Sequence, residues 1–156
     1  MSEQYSPDPL GHVLSRICRL THAQMHALVG PLGLHRGQPL VLKALWGQEG
    51  LTHTELGHLL HVRPATVTNM VKHMEQAGFV ERRTDEQDRR VSRVYLTDAG
   101  REIQGQVQQM WIEFEAQVFD GLDQQECTLL RRMLEQVQDN LLHLHSGPIS
   151  EGEDQA

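Results

Sequence analysis

The sequence predicts a mainly α-helical fold with one small β-hairpin, and three observations between Leu51 and Gly100 support that prediction. A helix-capping signature, Thr52-His53-Thr54-Glu55, is followed by a short turn and a second amphipathic helix. Two β-prone runs joined by polar residues come next, and Thr97 then provides a good start for a further helix. In this order the pieces specify a winged helix-turn-helix, in which two helices joined by a tight turn are followed by a hairpin.

Length and composition fit one domain, or one compact unit with helical extensions, because the chain has 156 residues of which 38% are hydrophobic. Cys18 and Cys127 lie far apart and do not form a disulfide framework. No apolar run approaches the length of about 18 residues that spans a bilayer. The first residues are polar and acidic, unlike a secretory signal. We therefore expect a cytoplasmic protein with no membrane contact.

The N-terminal part is expected to be a loose tail over residues 1–9, followed by two helices. The GPLG stretch at residues 30–33 ends the first helix. The second covers Gln38 to Trp46, and its Pro39 is tolerated because it falls in the first turn. One side of the first helix carries a stripe that is apolar except for one threonine: Leu10, Val13, Leu14, Ile17, Thr21, Met25 and Leu28.

The helix-turn-helix is specified by residues at its boundaries. Thr52 and Glu55 can satisfy each other's unpaired backbone amides at the start of the first helix. The turn is His61-Val62-Arg63, and Pro64 suits the first position of the next helix, where no amide hydrogen bond is needed. Gly78 stops that helix. The buried side of the first helix is predicted to consist of Leu56, Leu59 and Leu60.

The second helix of this pair has an apolar face and a polar face. The apolar side chains recur at helical spacing and are expected to face the core: Val67, Met70, Val71 and Met74. The outward side chains are Thr66, Asn69, Lys72, His73 and Gln76, with Thr68 near the boundary. Short hydrogen-bonding groups and a long cation suit base edges and phosphates in a DNA major groove. The alternative is an ordinary amphipathic surface helix, which the preceding capped helix and turn disfavour.

The predicted hairpin joins Phe79–Arg83 to Val91–Leu96 through polar residues 84–90. Asp88 precedes Arg90 by two residues, so we expect its carboxylate to hold the arginine guanidinium by a charge-assisted hydrogen bond. Such a contact would reduce the entropy lost when the arginine enters a DNA minor groove, whose negative potential attracts it. The alternative is a solvated charged loop.

Charge is distributed unevenly along the chain. Residues 63–93 contain seven cations and five acids, a net charge of +2. Because the whole chain has a net charge of −7, the residues outside this window carry −9. An acidic remainder repels DNA, which favours specific over indiscriminate contact.

These residues resemble the MarR family of bacterial transcriptional regulators. The similarity rests on ELGHLLHVRPATVTNMVKHMEQAGFVERR, on the D-x-R element Asp88-Arg89-Arg90 and on the signature Leu96-Thr97-x-x-Gly100. The flanking helices agree in number and position, so the resemblance covers residues 10–145.

The resemblance implies a DNA-binding regulator, acting as a repressor, whose recognition helix is Pro64–Gly78. It implies that Arg90 enters the minor groove and that Asp88 positions it. Four further arginines, at positions 82, 83, 89 and 93, become phosphate contacts or internal salt-bridge partners. The expected contacts with double-stranded DNA are Arg63, Pro64, Thr66, Thr68, Asn69, Lys72, His73, Arg82, Arg83, Asp88, Arg89, Arg90 and Arg93.

The C-terminal part is predicted to form two more helices. One starts at Thr97-Asp98 and runs to Asp120-Gly121, with the apolar residues Ile103, Val107, Met110, Trp111, Phe114 and Val118. The other is capped by Asp123 and Glu126 and carries Leu130, Met133, Leu134, Val137, Leu141 and Leu144 near heptad spacing.

Three amphipathic helices outside a small winged helix need a partner for their apolar faces. A two-fold homodimer would cover them and present two recognition helices to a pseudo-palindromic DNA site, as the family does. Packing within one chain is the alternative. The predicted organisation is a helical dimerisation region over 10–33 and 101–145, a winged helix-turn-helix over 34–100 and a disordered acidic tail over 146–156.

Two sensing mechanisms are open at this point. The resemblance favours a small aromatic or phenolic effector, and side chains suited to an anionic aromatic ligand are Arg16, Arg19, His22, His26 and Trp46, although structural roles are favoured for them. The second is oxidant sensing through Cys18, whose basic neighbours would lower its pKa. Its place near the apolar stripe instead favours a buried thiol.

Other functional classes are disfavoured. The pairs His22 with His26 and His58 with His61 have chelating spacings, but no cysteine or carboxylate completes a ligand set, so no metal or cofactor is expected. The chain lacks a Gly-rich phosphate loop, a nucleophile elbow and an HExxH motif, so no enzyme is expected. A winged helix used only for protein contact remains the rival to DNA binding.

Overall fold

The structure is a computed structural model that describes residues 8–35 and 37–145. The expected tails therefore lie largely outside the described residues. The described residues divide into two compact units, with the boundary after Ile112. The helices are α1 (Leu10–Val29), a 3₁₀ turn (Gly30–Leu32), α2 (Gln38–Gly47), α3 (His53–Leu60), α4 (Pro64–Gln76), α5 (Asp98–Glu102), α6 (Gln104–Val118) and α7 (Gln124–His145). The strands are β1 (Leu51–Thr52), β2 (Val80–Thr84) and β3 (Ser92–Leu96).

The capping box at the start of α3 is present as predicted. The Glu55 amide donates to Thr52 Oγ1 at 3.1 Å, and the Thr52 amide donates to Glu55 Oε2 at 2.7 Å. His61, with φ of 53°, ends α3 in the left-handed region, and α4 begins at Pro64. Gly57 allows the close approach of the two helices, because a Cβ there would lie 2.9 Å from the Val62 carbonyl oxygen.

The wing is a three-stranded antiparallel sheet in the order β1-β3-β2. The sequence predicted its hairpin, and the structure adds β1, in which Leu51 pairs with Val94 and Thr52 with Arg93. The predicted mainly helical fold with a small β wing is confirmed. Its third strand ties the wing to the residue that caps α3.

Thr97 and Gly100 join the wing to α5. Thr97 Oγ1 accepts from the Gly100 amide at 3.1 Å and donates to the Gly78 carbonyl at 2.5 Å. A Cβ on Gly100 would lie 2.0 Å from the carbonyl oxygen of Phe79, so any larger residue would force the backbone apart. This close packing gives a physical reason for the Leu96-Thr97-x-x-Gly100 signature.

The core of the helix-turn-helix follows the predicted pattern with three exceptions. Leu59, expected to be buried, is 59% exposed, and Leu60 and Met70 are only half-buried. Successive helix residues are rotated by about 100°, so Leu59 lies nearly opposite the buried Gly57. The buried apolar side chains of this region are Val41, Leu42, Leu45, Leu51, Leu56, Val67, Val71, Met74, Val80, Val94 and Leu96.

The predicted helix from Asp98 to Val118 is interrupted. Ile103 ends α5 with φ −72° and ψ −9°, and α6 begins at the next residue. Gly105 directly after the break is a poor helix former, which gives a physical reason for the interruption. The Ile103 amide still donates to the Ala99 carbonyl at 3.1 Å, so the break is shallow. Ile103, Val107, Met110 and Phe114 are buried as predicted, whereas Trp111 is half-buried and Val118 is exposed.

The long helices expose part of their apolar stripes. On α7, which a reciprocal Asp123–Glu126 capping box begins, Met133, Leu134 and Val137 are 49%, 44% and 38% exposed. On α1, Met25 is buried, whereas Leu10 and Ile17 are exposed. Among the described residues, no helix is both long and apolar enough to cross a membrane.

Candidate nucleic-acid interface

The exposed face of α4 carries the side chains that the sequence assigned to a DNA groove. Val67, Val71 and Met74 are fully buried on the opposite face and fix the rotation of the helix. The groove-facing candidates that lie exposed are Arg63, Pro64, Thr66, Thr68, Asn69, Lys72 and His73. The His73 ring also packs against the His35 ring at a centroid distance of 6.3 Å, so this side chain is partly engaged within the protein. DNA contact by these residues stays a prediction.

Thr68 contacts the first residue of α3. Its Oγ1 lies 3.0 Å from the Pro64 carbonyl oxygen and 3.2 Å from His53 Nδ1. Burial lowers the pKa of His53, and the nearby Arg82 cation lowers it further. His53 Nε2 is buried, and it has no hydrogen-bond partner among the described residues. Both effects disfavour the charged form of the ring beneath the proposed recognition helix.

The predicted contact between Asp88 and the Arg90 guanidinium is wrong. Asp88 Oδ1 instead accepts from the Arg90 backbone amide at 3.0 Å. Because Asp88 and Arg90 are only two positions apart, the carboxylate closes a local turn on the main chain, as aspartate commonly does. Arg89 and Arg90 are exposed, and within the described part of the chain neither guanidinium has an ion-pair partner. Asp88 thus shapes the wing backbone rather than the arginine side chain.

Asp85 and Arg93 form the ion pair that sequence reasoning missed. Arg93 Nε donates to Asp85 Oδ2 across the hairpin. Hydrogen bonds from Arg93 and from two backbone amides lower the pKa of Asp85 to about 2. The hairpin register brings the two residues together. Arg83 pairs with Arg93 across the hairpin, so Asp85, two residues after Arg83, lies near Arg93.

The other two wing arginines also have partners within the protein. Arg82 forms a salt bridge of 2.7 Å with Glu75 at the end of α4, and its hydrogen bond lowers the pKa of Glu75. Arg83 pairs with Glu81, and its guanidinium carbon lies 4.5 Å from the centroid of the Tyr95 ring. Of the two roles expected for Arg82, Arg83 and Arg93, the internal salt bridges are therefore observed. Contact with phosphate stays a prediction.

The residues suggested for an effector site have mixed surroundings. Trp46 Nε1 donates to the Gly100 carbonyl oxygen at 2.9 Å, a structural role that joins α2 to α5. Arg16 forms an exposed salt bridge with Asp8 at 3.0 Å, while His22 and His26 are exposed on α1.

The two cysteines and the histidines complete the set of candidate sensing groups. Cys18 is exposed, contrary to the expectation of a buried thiol, and its neighbours Ile17 and Leu20 on α1 are exposed as well. Cys127 is half-buried. No group of three or more potential metal ligands is present in the part of the chain that the structure describes.

Comparison with known proteins gives a consistent result. The sequence model of the MarR family matches residues 34–92. HTH-type transcriptional regulator TtmR from Methylorubrum extorquens (strain PA1) is 34% identical over 114 residues, which cover 69% of this chain and 58% of that protein. The organic hydroperoxide resistance transcriptional regulator of Bacillus subtilis (strain 168) is 33% identical over 93 residues, covering 55% of this chain and 63% of that protein.

Among solved structures, wild-type MarR from E.coli in its apo form is 25% identical. It superposes with a TM-score of 0.68, over 85% of this chain and 98% of that protein. The chain spans about six tenths of the length of the two curated relatives.

Proposed function

The chain belongs to the MarR family, and from this membership and the geometry of its winged helix we propose that it is a sequence-specific DNA-binding transcriptional regulator. The observation that carries the proposal is the pairing of two exposed polar elements on one small domain. The outward face of α4 offers hydrogen-bonding groups for a major groove, and Arg90 in the wing has no described ion-pair partner and is available for the minor groove.

We propose that the active form is a homodimer. The partly exposed apolar stripe of α7 supports this, because exposed contiguous apolar surface marks interaction sites. The second unit also has a groove of about 710 Å³, in which Phe119, Leu130 and Leu134 lie among charged side chains such as Glu115, and which a helix of a second copy would fill. Two-fold pairing would present two α4 helices to the half-sites of a pseudo-palindromic operator.

We further propose that the protein is a repressor whose DNA affinity is lowered by a small aromatic or phenolic effector. Such regulation requires the effector to bind one spacing of the two recognition helices more tightly than the other. A library of phenolic acids added to the protein–DNA complex tests this step. Lower DNA affinity with at least one compound is expected, and unchanged affinity with all of them would reject effector control by this class.

Oxidant sensing through Cys18 is the second candidate, and the exposure of this thiol favours it. The B. subtilis relative is named as a regulator of organic hydroperoxide resistance. The thiolate would attack the terminal oxygen of an organic hydroperoxide and break the O–O bond, which gives a sulfenic acid and, after uptake of a proton, an alcohol. On this proposal an organic hydroperoxide weakens DNA binding by the wild type and leaves Cys18→Ser unaffected, whereas equal responses of the two proteins would remove Cys18 from the mechanism.

DNA binding is tested by fluorescence anisotropy with labelled duplexes from the DNA upstream of the chain's own coding sequence. Selective binding over a scrambled duplex of equal length is expected, with an affinity that falls as salt rises because counterions are released from phosphates. Absent or salt-insensitive binding would instead favour a winged helix used for protein contact. As a DNA-binding regulator without enzymatic activity, the protein would act in the bacterial cytoplasm.

A further inference from the structure

We infer that Arg93 is a positioning residue, which fixes the wing to the start of the helix-turn-helix through Asp85, and that it is not a phosphate contact. The expected effect of Arg93 on DNA binding rests on the proposed function. The contacts that make it a positioning residue all lie within residues 50–93. Arg93 stands on β3, between the wing tip and β1, and its guanidinium has acceptors on both sides.

Three groups of the protein contact the guanidinium of Arg93. Its Nε donates to Asp85 Oδ2 in the wing, and its Nη1 donates to the Gly50 carbonyl oxygen at 2.9 Å. Nη1 also lies 3.7 Å from Oε2 of Glu55, the carboxylate that completes the α3 capping box. One side chain therefore connects the wing tip, the residue before β1 and the first turn of α3.

Asp85 transmits this contact to the backbone of the wing tip. While Oδ2 accepts from Arg93, Oδ1 accepts from the amides of Gln87 and Asp88 at 2.8 and 3.0 Å. The Asp85 amide donates to the Val91 carbonyl oxygen at 2.9 Å and closes the loop at its base. The tip is thus held in one conformation from which Arg89 and Arg90 extend.

A wing held in this way loses less conformational entropy when it enters a groove, since its backbone is already ordered before DNA binds. Arg93 therefore supports binding from a distance, because its Nε and Nη1 donors are directed to Asp85 and Gly50 and its charge lies within ion-pair distance of Glu55. Asp85 supports binding even though its negative charge opposes that of DNA.

The sign of the Asp85→Asn effect separates positioning from simple electrostatics. Removing an acid near DNA strengthens binding by charge alone, whereas loss of the Arg93 contact weakens it. Glu86→Gln is the matched control, because Glu86 is the adjacent exposed wing acid and no ion pair of it is found among the described residues. We expect Asp85→Asn to bind the operator about tenfold more weakly. A tenfold loss of affinity corresponds to the free energy needed to order the backbone of about one residue. We expect Glu86→Gln to bind equally or more tightly.

The salt dependence of binding separates positioning from phosphate contact. Arg93→Gln is expected to weaken binding about tenfold with an unchanged slope of log K against log salt, because no phosphate contact is lost. The double variant should bind no more weakly than either single variant, since both lose the same contact. A slope reduced by about 0.9 in Arg93→Gln, or tighter binding by Asp85→Asn, would overturn the inference.

A readout without DNA keeps this inference distinct from the proposed function. In the free wild-type protein, the NMR order parameters of the Gln87 and Asp88 amides should be about 0.85, the value of a rigid backbone. They should fall below about 0.6 in Asp85→Asn and Arg93→Gln, but not in Glu86→Gln. Rigid amides in all variants would overturn the positioning role. If the wild type fails to bind any operator, the proposed function fails, and the order parameters still decide whether Arg93 holds the wing.

Discussion

Thr68 Oγ1 and His53 Nδ1 share a hydrogen bond of 3.2 Å, which ties a side chain on the proposed recognition helix to the first residue of α3. The Pro64 carbonyl oxygen can only accept, so the single hydroxyl proton of Thr68 points to it over 3.0 Å. In the tautomer with its hydrogen on Nδ1, His53 donates to Thr68, which then has only a lone pair and a methyl group left for DNA. A base amino group of adenine or cytosine, or a thymine methyl, suits such a surface.

Thr68→Val is therefore expected to weaken discrimination at one base pair of each half-site. Valine keeps the shape of the side chain but loses the acceptor, while Thr68→Ser keeps the acceptor and loses the methyl. Competition titrations with single-base operator variants measure the effect, which should be about tenfold or less for Thr68→Val, as for one lost hydrogen bond. If Thr68→Val keeps the wild-type preference at every position, Thr68 does not read a base.

Acid should destabilise the folded protein through His53. Its pKa is lowered from 6.5 in the folded state, so the unfolded chain binds the proton more readily. The contribution of His53 is fully present above the unfolded value, and it is lost as pH falls below about 6.5 toward the folded pKa. Thermal unfolding of the wild type and of His53→Asn measures this loss of stability. The pH is varied from about 7.5 to about 5, the range in which histidine changes its charge.

The wild type should lose more melting temperature than His53→Asn over that interval. The exposed His58 on the same helix offers a matched control, and His58→Asn should follow the wild type. Parallel curves for all three proteins would show that His53 titrates as in the unfolded chain.

Arg90→Ala should weaken operator binding without changing the fold. Arg90 is exposed, and only its backbone amide takes part in a hydrogen bond of the described wing, so its side chain can be removed without loss of packing. A groove contact is worth about 1–3 kcal/mol, which corresponds to about tenfold or more in the dissociation constant. Anisotropy titration should show this loss with an unchanged melting temperature, and unchanged affinity would mean that the wing does not enter the minor groove.

Leu134→Glu should dissociate the proposed homodimer. The residue lies 44% exposed in the apolar stripe of α7, and a carboxylate there would have to be buried on association. Light scattering after size exclusion should give a dimer for the wild type and a monomer for the variant. Arg132→Glu, on an exposed position of the same helix, should remain dimeric. A wild-type monomer at all concentrations would contradict the dimer.

Local signals in the sequence predicted much of the fold. The Thr52–Glu55 capping box, Pro64 at the start of α4 and the Asp123–Glu126 cap act within four residues, so their backbone partners can be inferred from spacing alone. The rotation of α4 followed from three side chains that are all fully buried: Val67, Val71 and Met74.

Contacts that depend on tertiary structure were not predicted. The short strand β1 forms because β3 lies beside Leu51 and Thr52, and two residues carry no strand signal by themselves. Asp85 and Arg93 meet through the hairpin register across eight positions. In contrast, Asp88 lies so close to Arg90 in sequence that the backbone amide takes the carboxylate first. Spacing therefore located the wing but assigned the Asp88 carboxylate to the wrong partner.

The central claim is that two copies of this chain read one operator, and the binding stoichiometry tests it most directly. The measurement is an anisotropy titration of the wild type into the operator duplex, with the duplex held well above its dissociation constant and a scrambled duplex as competitor. The account predicts a sharp endpoint at two chains per duplex that the competitor does not displace. An endpoint at one chain per duplex, or equal binding to the scrambled duplex, would contradict it.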